Sequence, residues 1–500
     1  MKNWSTLLLS FSLTLLITLS SCNLINNTEE LITPEWAPEI AIPLVDSDIS
    51  LQLLIEEGVP DTLITSGPEE VITLAYQTEL ITVEGQDIFV IPDIPIPMFQ
   101  PEVAIPFPVG DLNQIQLKSG QLTYRFSLPD DRPVELNLRI PDAYKYGTSF
   151  SRTLLLQGSG TYHDSVDLEE YVLDLTDDAI VFQYEAIYRD DQSVLNLQDF
   201  QYDMKALEQQ YVDGHFGTIS LSLGSDSTAI NITSELLDAG FRLEDPRLGM
   251  IFYNSMGIPI QLQSEKFDVI TQEYGTVSLL TDSLEQGMII AYPGLQEVGQ
   301  TKVSAAYLNK DNSQLPEALS GRPTAFDWDF GIQTHPNSDP EEHGFLTDSS
   351  AFRIDLWAEV PLHGSLTSYS FDTEFEADLT ELERVSTATI ALVTENGIPV
   401  DVFLQAYFMD EQGMILDSLF AAPRPILASP SLSSDGSVIA PAKEQIDIEV
   451  SEDRIPLLLP THQIRLHIRL GTSGGGQVPV KFYPENSLGI KLGVKGKLNL

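Results

Sequence analysis

The residues best equipped for chemistry in this chain fall in one short run, His335-Pro336-Asn337-Ser338-Asp339-Pro340-Glu341-Glu342-His343. Imidazoles and carboxylates packed this closely are the donors a divalent cation takes, and His335, Asp339, Glu341 and His343 are the candidate metal ligands. The same run carries two prolines and Asn-Ser, the composition of a solvated connecting loop, and the loop is the preferred reading. Nucleophilic catalysis needs an activated Ser or Cys beside a base. No Gly-x-Ser-x-Gly elbow occurs, and the chain has 1 Cys, Cys22. Gly471-Thr472-Ser473-Gly474-Gly475-Gly476 lacks the Gly-Lys-Ser/Thr ending of a phosphate loop and reads as a hairpin loop between Leu470 and Val478. A sugar-cleaving pair of carboxylates would be expected to sit among stacked Trp, and there are 4 Trp in all. In Asp327-Trp328-Asp329-Phe330, alternation puts the aromatics on one face and both Asp on the other, the ordinary strand pattern. Asp174-Leu175-Thr176-Asp177-Asp178 and Asp190-Asp191 are turn-type clusters without the spacing of a calcium loop, which leaves structural calcium open and unassigned. The expectation is therefore a protein that is not an enzyme, with no catalytic residue and no cofactor.

Composition narrows the partners. The chain carries 74 acidic against 26 basic residues, a net charge of −48. Such a field repels nucleic-acid phosphates and anionic head groups, so no nucleic-acid partner is expected. A hydrophobic fraction of 42%, with 17 Tyr and 22 Phe, calls for folded cores rather than disorder.

The N-terminus has the layout of an export signal. Lys2 is followed by an apolar stretch from Leu7 to Leu19, too short and too rich in Ser and Thr for a membrane span of about 20 apolar residues. Leu19-Ser20-Ser21-Cys22 resembles the bacterial lipobox. That resemblance implies a diacylglycerol on the Cys22 thiol and cleavage before it, so that the membrane partner is reached through the Cys22 lipid. With no second Cys, an intrachain disulfide is impossible. Asn23 resembles the default outer-membrane sorting of enteric lipoproteins, and the first acids after Cys22 are Glu29 and Glu30. The expected location is the cell outer membrane, with either face open.

The elements around these residues are expected to be strands. After a signal peptide at 1–21 and a tether at 22–35, residues 36–108 are rich in proline, as in Ile91-Pro92-Asp93-Ile94-Pro95-Ile96-Pro97. Proline lacks the donor a central strand needs, so edge strands, extended segments and turns are expected there. Beyond it, runs such as Gln463-Ile464-Arg465-Leu466-His467-Ile468-Arg469-Leu470 alternate with period two. Helical spacing is confined to 50–57, 204–212 and 233–239.

An internal repeat aligns on Pro133, Pro259 and Pro399. Before each proline stand Leu122, Tyr124 and Phe126, then Leu248, Met250 and Phe252, then Ala388, Ile390 and Leu392. After it stand Val134 and Leu136, Ile260 and Leu262, Val400 and Val402. The pattern predicts a strand, a turn with Gly257 or Gly397 at positive φ, and a returning strand that begins at proline. Copies lie about 130 residues apart, one β-sandwich each. Expected sandwiches cover 109–225, 226–332 and 345–500.

The second copy, Phe241-Arg242-Leu243-Glu244-Asp245-Pro246-Arg247-Leu248 and Asn254-Ser255-Met256-Gly257-Ile258-Pro259-Ile260, resembles the late-embryogenesis-abundant group 2 or WHy domain, with Asp245 where that family usually has Asn. The resemblance implies an immunoglobulin-like sandwich and no particular activity. The lipobox, the 36–45 stretch and the glycine-containing 488–500 strand are similar to large Bacteroidota outer-membrane lipoproteins. The combined expectation is mostly β, with tandem antiparallel immunoglobulin-like β-sandwich domains behind a proline-rich N-terminal region. Two functions fit it: a non-enzymatic binding or scaffold lipoprotein with a protein partner at the cell envelope, or a carrier of lipid or another apolar ligand.

Overall fold

The computed structural model describes residues 39–51, 64–65, 70–108, 111–177, 179–230, 240–337, 339 and 341–498. Cys22, the segments 1–21 and 22–35, the 233–239 helix candidate and residues 52–57 of the 50–57 candidate lie outside the described residues. Of the latter, Ser50 ends a strand. The described chain is mostly β, built of antiparallel sheets whose alternate residues bury one face, as period-two text dictates. No described helix is longer than the six residues of Leu315–Ser320, and none is long and apolar enough to cross a membrane.

Three sandwiches result. In the first, a ten-stranded sheet folds on itself. Asp111–Leu128 pairs with Gln198–His215, Val134–Lys145 pairs with Ala179–Tyr188, and Val172–Asp174 joins the two halves. The second opposes the sheet containing Lys302–Leu308, Arg247–Asn254, Ala351–Pro361 and Thr73–Glu84 to one containing Ser220–Ala229, Pro323–Thr334 and Ile260–Thr271. In the third, Glu39–Ser50, Ser487–Leu498, Val385–Asn396 and Ala442–Val450 oppose Tyr369–Glu376, Gln463–Gly471, Asp401–Met409 and Ile415–Ser418.

The proline-rich stretch builds no unit of its own. Glu39–Ser50 is an edge strand of the third sandwich, its register slipping between Pro43 and Val45. Thr73–Glu84 joins the second sandwich, while Ile94–Pro97 and Glu102–Pro106 flank the first. The contiguous spans drawn from sequence are also interleaved: Ala351–Pro361 completes the second sandwich although it falls within 345–500. The chain therefore runs through the third and second sandwiches into the first, then returns through the second to the third.

Ladders stiffen both junctions. Between the first and second sandwiches, Gly344–Thr347 pairs with Gln198–His215, and Gly257 bridges to Phe345. Between the second and third, Phe241–Leu243, His363–Leu366 and Val480–Lys481 form a three-stranded sheet. Beside it, Ile72, Leu362 and Phe482 exchange backbone hydrogen bonds of 2.7–3.0 Å, and all three are buried.

All of the aligned apolar positions of the repeat are buried. The connection differs from a hairpin. Arg247–Asn254 and Ile260–Thr271 lie in opposite sheets of the second sandwich, as do Val385–Asn396 and Asp401–Met409 in the third. The second and third repeats are thus arches between sheets, which suits a proline start because the incoming strand finds new neighbours rather than its predecessor. An Asx turn shapes the connection in all three copies: Asp130, Asn254 and Asn396 accept the amides of Arg132, Met256 and Ile398 at 2.9–3.0 Å. Gly257 and Gly397 do not have positive φ. Gly257 is instead required by close approach, since a Cβ there would stand 2.1 Å from the Phe345 ring.

The 204–212 stretch is not a helix but part of the strand Gln198–His215. Its ladder slips between Lys205 and Glu208, again by Gln209 and again by Tyr211, and Ala206 has φ 49°. Each bulge shifts the alternation, so buried Met204, Leu207 and Val212 acquire helix-like spacing without a helix.

Candidate functional site

His335 follows the strand Pro323–Thr334 at the seam between the first and second sandwiches, with φ 42°. Its amide donates to the Pro259 carbonyl (3.0 Å), and its carbonyl accepts from the Thr218 hydroxyl (3.1 Å). Pinned on both sides, the side chain is fully buried at 0% exposure. Its ring centroid lies 4.5 Å from that of His215, at the end of Gln198–His215. Nδ1 stands 3.8 Å from Oε2 of Glu342, an ion-pair separation too long for a hydrogen bond. Both ring nitrogens of His335 and Oε2 of Glu342 lack a hydrogen-bond partner among the described residues.

The neighbours of His335 are themselves held. Tyr292 donates its hydroxyl to Oε1 of Glu342 (2.9 Å), and Nδ1 of His215 lies 3.2 Å from the Glu342 carbonyl oxygen. Burial, reinforced by the adjacent His215, keeps the His335 imidazole below its ordinary pKa against the pull of Glu342. Burial, then Glu342, pushes the Tyr292 phenol up. The arrangement is a buried contact at the seam in which two imidazoles, a carboxylate and a phenol meet.

The four candidate ligands named from the sequence do not all meet here. The Asp339 carboxylate accepts the Glu341 amide (3.0 Å) and shapes an exposed turn. His343 is exposed, with Nδ1 3.1 Å from the Asn113 amide nitrogen, which also donates to Asp213 (3.0 Å). Among the described residues no three His, Cys, Asp or Glu converge to hold a metal ion. Of His335, Asp339, Glu341 and His343, the fold buries the first and leaves the other three at the surface, because proline and turn residues carry the loop outward. Sequence reasoning missed His215, Glu342 and Tyr292 as neighbours of His335. Glu342 lies inside the run considered, but no local pattern links His215 to it.

The remaining candidates are structural. Trp328 and Phe330 are buried and stacked at 5.4 Å, while Asp327 pairs with Lys266 on the opposite face. Asp174 caps Thr176 (2.7 Å), and Asp191 caps Ser193 while pairing with Arg132 (3.2 Å). Gly474, Gly475 and Gly476 take φ of 71–81° in a tight turn. That turn leads not back into a hairpin but onward to Val480–Lys481, in the junction sheet.

An open cleft of about 660 Å³ lies on the outer face of the third sandwich, between Asp48, Glu395, Ile439 and Tyr483. Its wall residues Asp46 and Glu395 are already matched by Lys491 (3.1 Å) and Lys443 (2.9 Å).

No protein-family profile matches the chain, and no curated protein matches it in sequence. In structure it is similar to a protein of Parabacteroides distasonis inferred to be secreted: 10% identity, 92% of this chain and 100% of that chain covered, TM-score 0.33. A chain from the Gx strain of infectious bursal disease virus shows 9% identity, 88% and 81% coverage, and a TM-score of 0.16. At these TM-scores neither likeness bears on function.

Proposed function

We propose that this protein is a non-enzymatic scaffold of the bacterial cell envelope, anchored in the outer membrane through a lipid on Cys22 and presenting its sandwiches to a protein partner. The observation that supports this reading is the nesting of the three sandwiches. Two chain segments cross each junction, and β-ladders brace both, so the first sandwich is carried as a stiff extension of the third. The tether, for its part, leads into the third sandwich through Glu39–Ser50. A rigid spacer of this kind positions a binding surface and needs no catalytic centre. The carrier reading gains no such support, because the inner faces of the sheets are filled by their own side chains.

The test is a crosslinking pull-down from intact membranes, comparing wild type with Cys22→Ala. The expected result is palmitate labelling and a reproducible envelope partner for wild type, both lost in Cys22→Ala. Persistent labelling of the variant, or an absence of partners for anchored wild type, would sink the reading.

A further inference from the structure

The strand Lys302–Leu308 closes one edge of the second sandwich, and among the described residues its ladder runs to Arg247–Asn254 alone. The Tyr307 carbonyl turns away from that ladder and accepts the side-chain amide of Asn312 (2.8 Å). Backbone groups alternate between the two edges of a strand, so those of Val303 and Ala305 point outward in phase with Tyr307. No described backbone group pairs with them.

Exposed edges are usually guarded by charge, proline or a cover. This one is not. Val303 is 58% and Tyr307 61% exposed, and Ile289, Leu295 and Val298 just before them are also exposed. Val303 and Tyr307 thus stand exposed on the open strand itself, beside its unpaired backbone groups. On the outer face, register aligns Tyr307, Gly249 and Trp357 across three strands. The rings of Tyr307 and Trp357 close over the buried Gly249, their carbons 3.3 and 3.1 Å from where a Cβ would stand, so this face is apolar up to the open edge. The nearby cations are neutralised, Lys302 by Glu297 (2.6 Å) and Lys310 by Asp245 (3.6 Å).

We propose that this edge docks an extended segment of a basic partner protein, which adds as a further strand beside Val303 and Ala305 and lays alternate apolar side chains against Val303 and Tyr307. Outward amides and carbonyls call for a backbone, not merely an apolar surface. At −48 per chain, the long-range field opposes a second copy and attracts a basic protein. The assignment goes beyond the scaffold reading and does not depend on the lipid anchor.

The probe is a synthetic peptide of alternating Val and Lys, about ten residues long, enough to span one strand. It is offered to the full-length protein at physiological salt, with polylysine of equal length as the charge control. The key variant is Ala305→Pro, which removes an outward N–H and leaves the ladder to Arg247–Asn254 intact. The expected result is slowed amide exchange at Val303 and Ala305 and at least about tenfold weaker binding by Ala305→Pro. Should Ala305→Pro misfold, the exposed Tyr307→Ser reports the same loss. Equal binding by the variants, equal binding of polylysine or no binding would overturn the proposal. A wild-type dimer dispersed by Ala305→Pro would overturn the choice of partner in favour of a second copy. A failed pull-down with an intact peptide response would instead count against the scaffold reading alone.

Discussion

Substituting Gly257→Ala tests whether the first and second sandwiches are locked by a steric fit. The added methyl would stand 2.1 Å from Cδ1 and Cε1 of Phe345 and 2.7 Å from its Cγ. Ordinary carbon contacts lie near ~3.5–4.0 Å, so ring and backbone must separate by about 1.5 Å. Neither has room to move. The Phe345 side chain is fully buried, and its backbone exchanges hydrogen bonds of 2.9 and 3.1 Å with Gly257 itself. The φ of Gly257 is not positive, so backbone strain contributes nothing and the effect is overpacking. Overpacking of this kind costs about 1–3 kcal/mol, and the short contact places this case toward the upper end. Because a multidomain chain does not unfold in one step, hydrogen exchange at Val212 and Leu346 is the appropriate assay; these two residues face each other across the seam ladder. The amides there should lose protection by that amount, while those of the third sandwich stay as in wild type. Phe345→Leu should relieve most of the added cost when combined with Gly257→Ala. A seam protected to within about 0.5 kcal/mol of wild type in Gly257→Ala, or an equal cost in the Phe345→Leu background, would refute the reasoning.

Acidification should loosen the same seam. His335 binds its proton less readily folded than unfolded, so its contribution is fully present above the ordinary imidazole range and is lost as pH falls through and below it. His215, Glu342 and His343 surround it, and His335→Phe should flatten the exchange-versus-pH profile; a seam that tightens on acidification contradicts this. In the third sandwich, Asn396→Ala should cost about 1–3 kcal/mol, because it strands the buried Ile398 amide and Val400 carbonyl, now bonded at 2.9 and 2.7 Å. Guanidinium unfolding resolved by domain would measure it, and a neutral result would mean water replaces the side chain. Phe482→Ala, whose buried ring lies 5.9 Å from Phe241, should cost about 3–5 kcal/mol at the second junction, read as increased proteolysis near 362–369.

Much of the strand content is legible in the sequence. Leu122, Met250 and Ile390 sit in the repeat where alternation says a core residue belongs, and all are buried. Pro43, Pro95 and Pro106 announced edge strands for the reason that proline cannot donate to a second neighbour. The helix expected at 204–212 failed because bulges disguise a strand by shifting its phase. His335, Asp339, Glu341 and His343 end up with one buried and three exposed, because closeness along a loop does not by itself fold donors toward a common point.

By itself the sequence determined which residues turn inward. Period two is local, and burial of one face follows from it wherever the strand is placed. Only the tertiary structure decided which strands meet. Glu39–Ser50 closes on Ser487–Leu498 across almost the whole chain, and His215 reaches His335 across a shorter but still long-range gap. Such pairings are chosen by the shared packing of many side chains and by loop closure, not by any short motif. The turn glycine shows the same division. Gly257 reads as a residue that bends the chain, yet it is there to admit Phe345, a neighbour that only the fold brings to it.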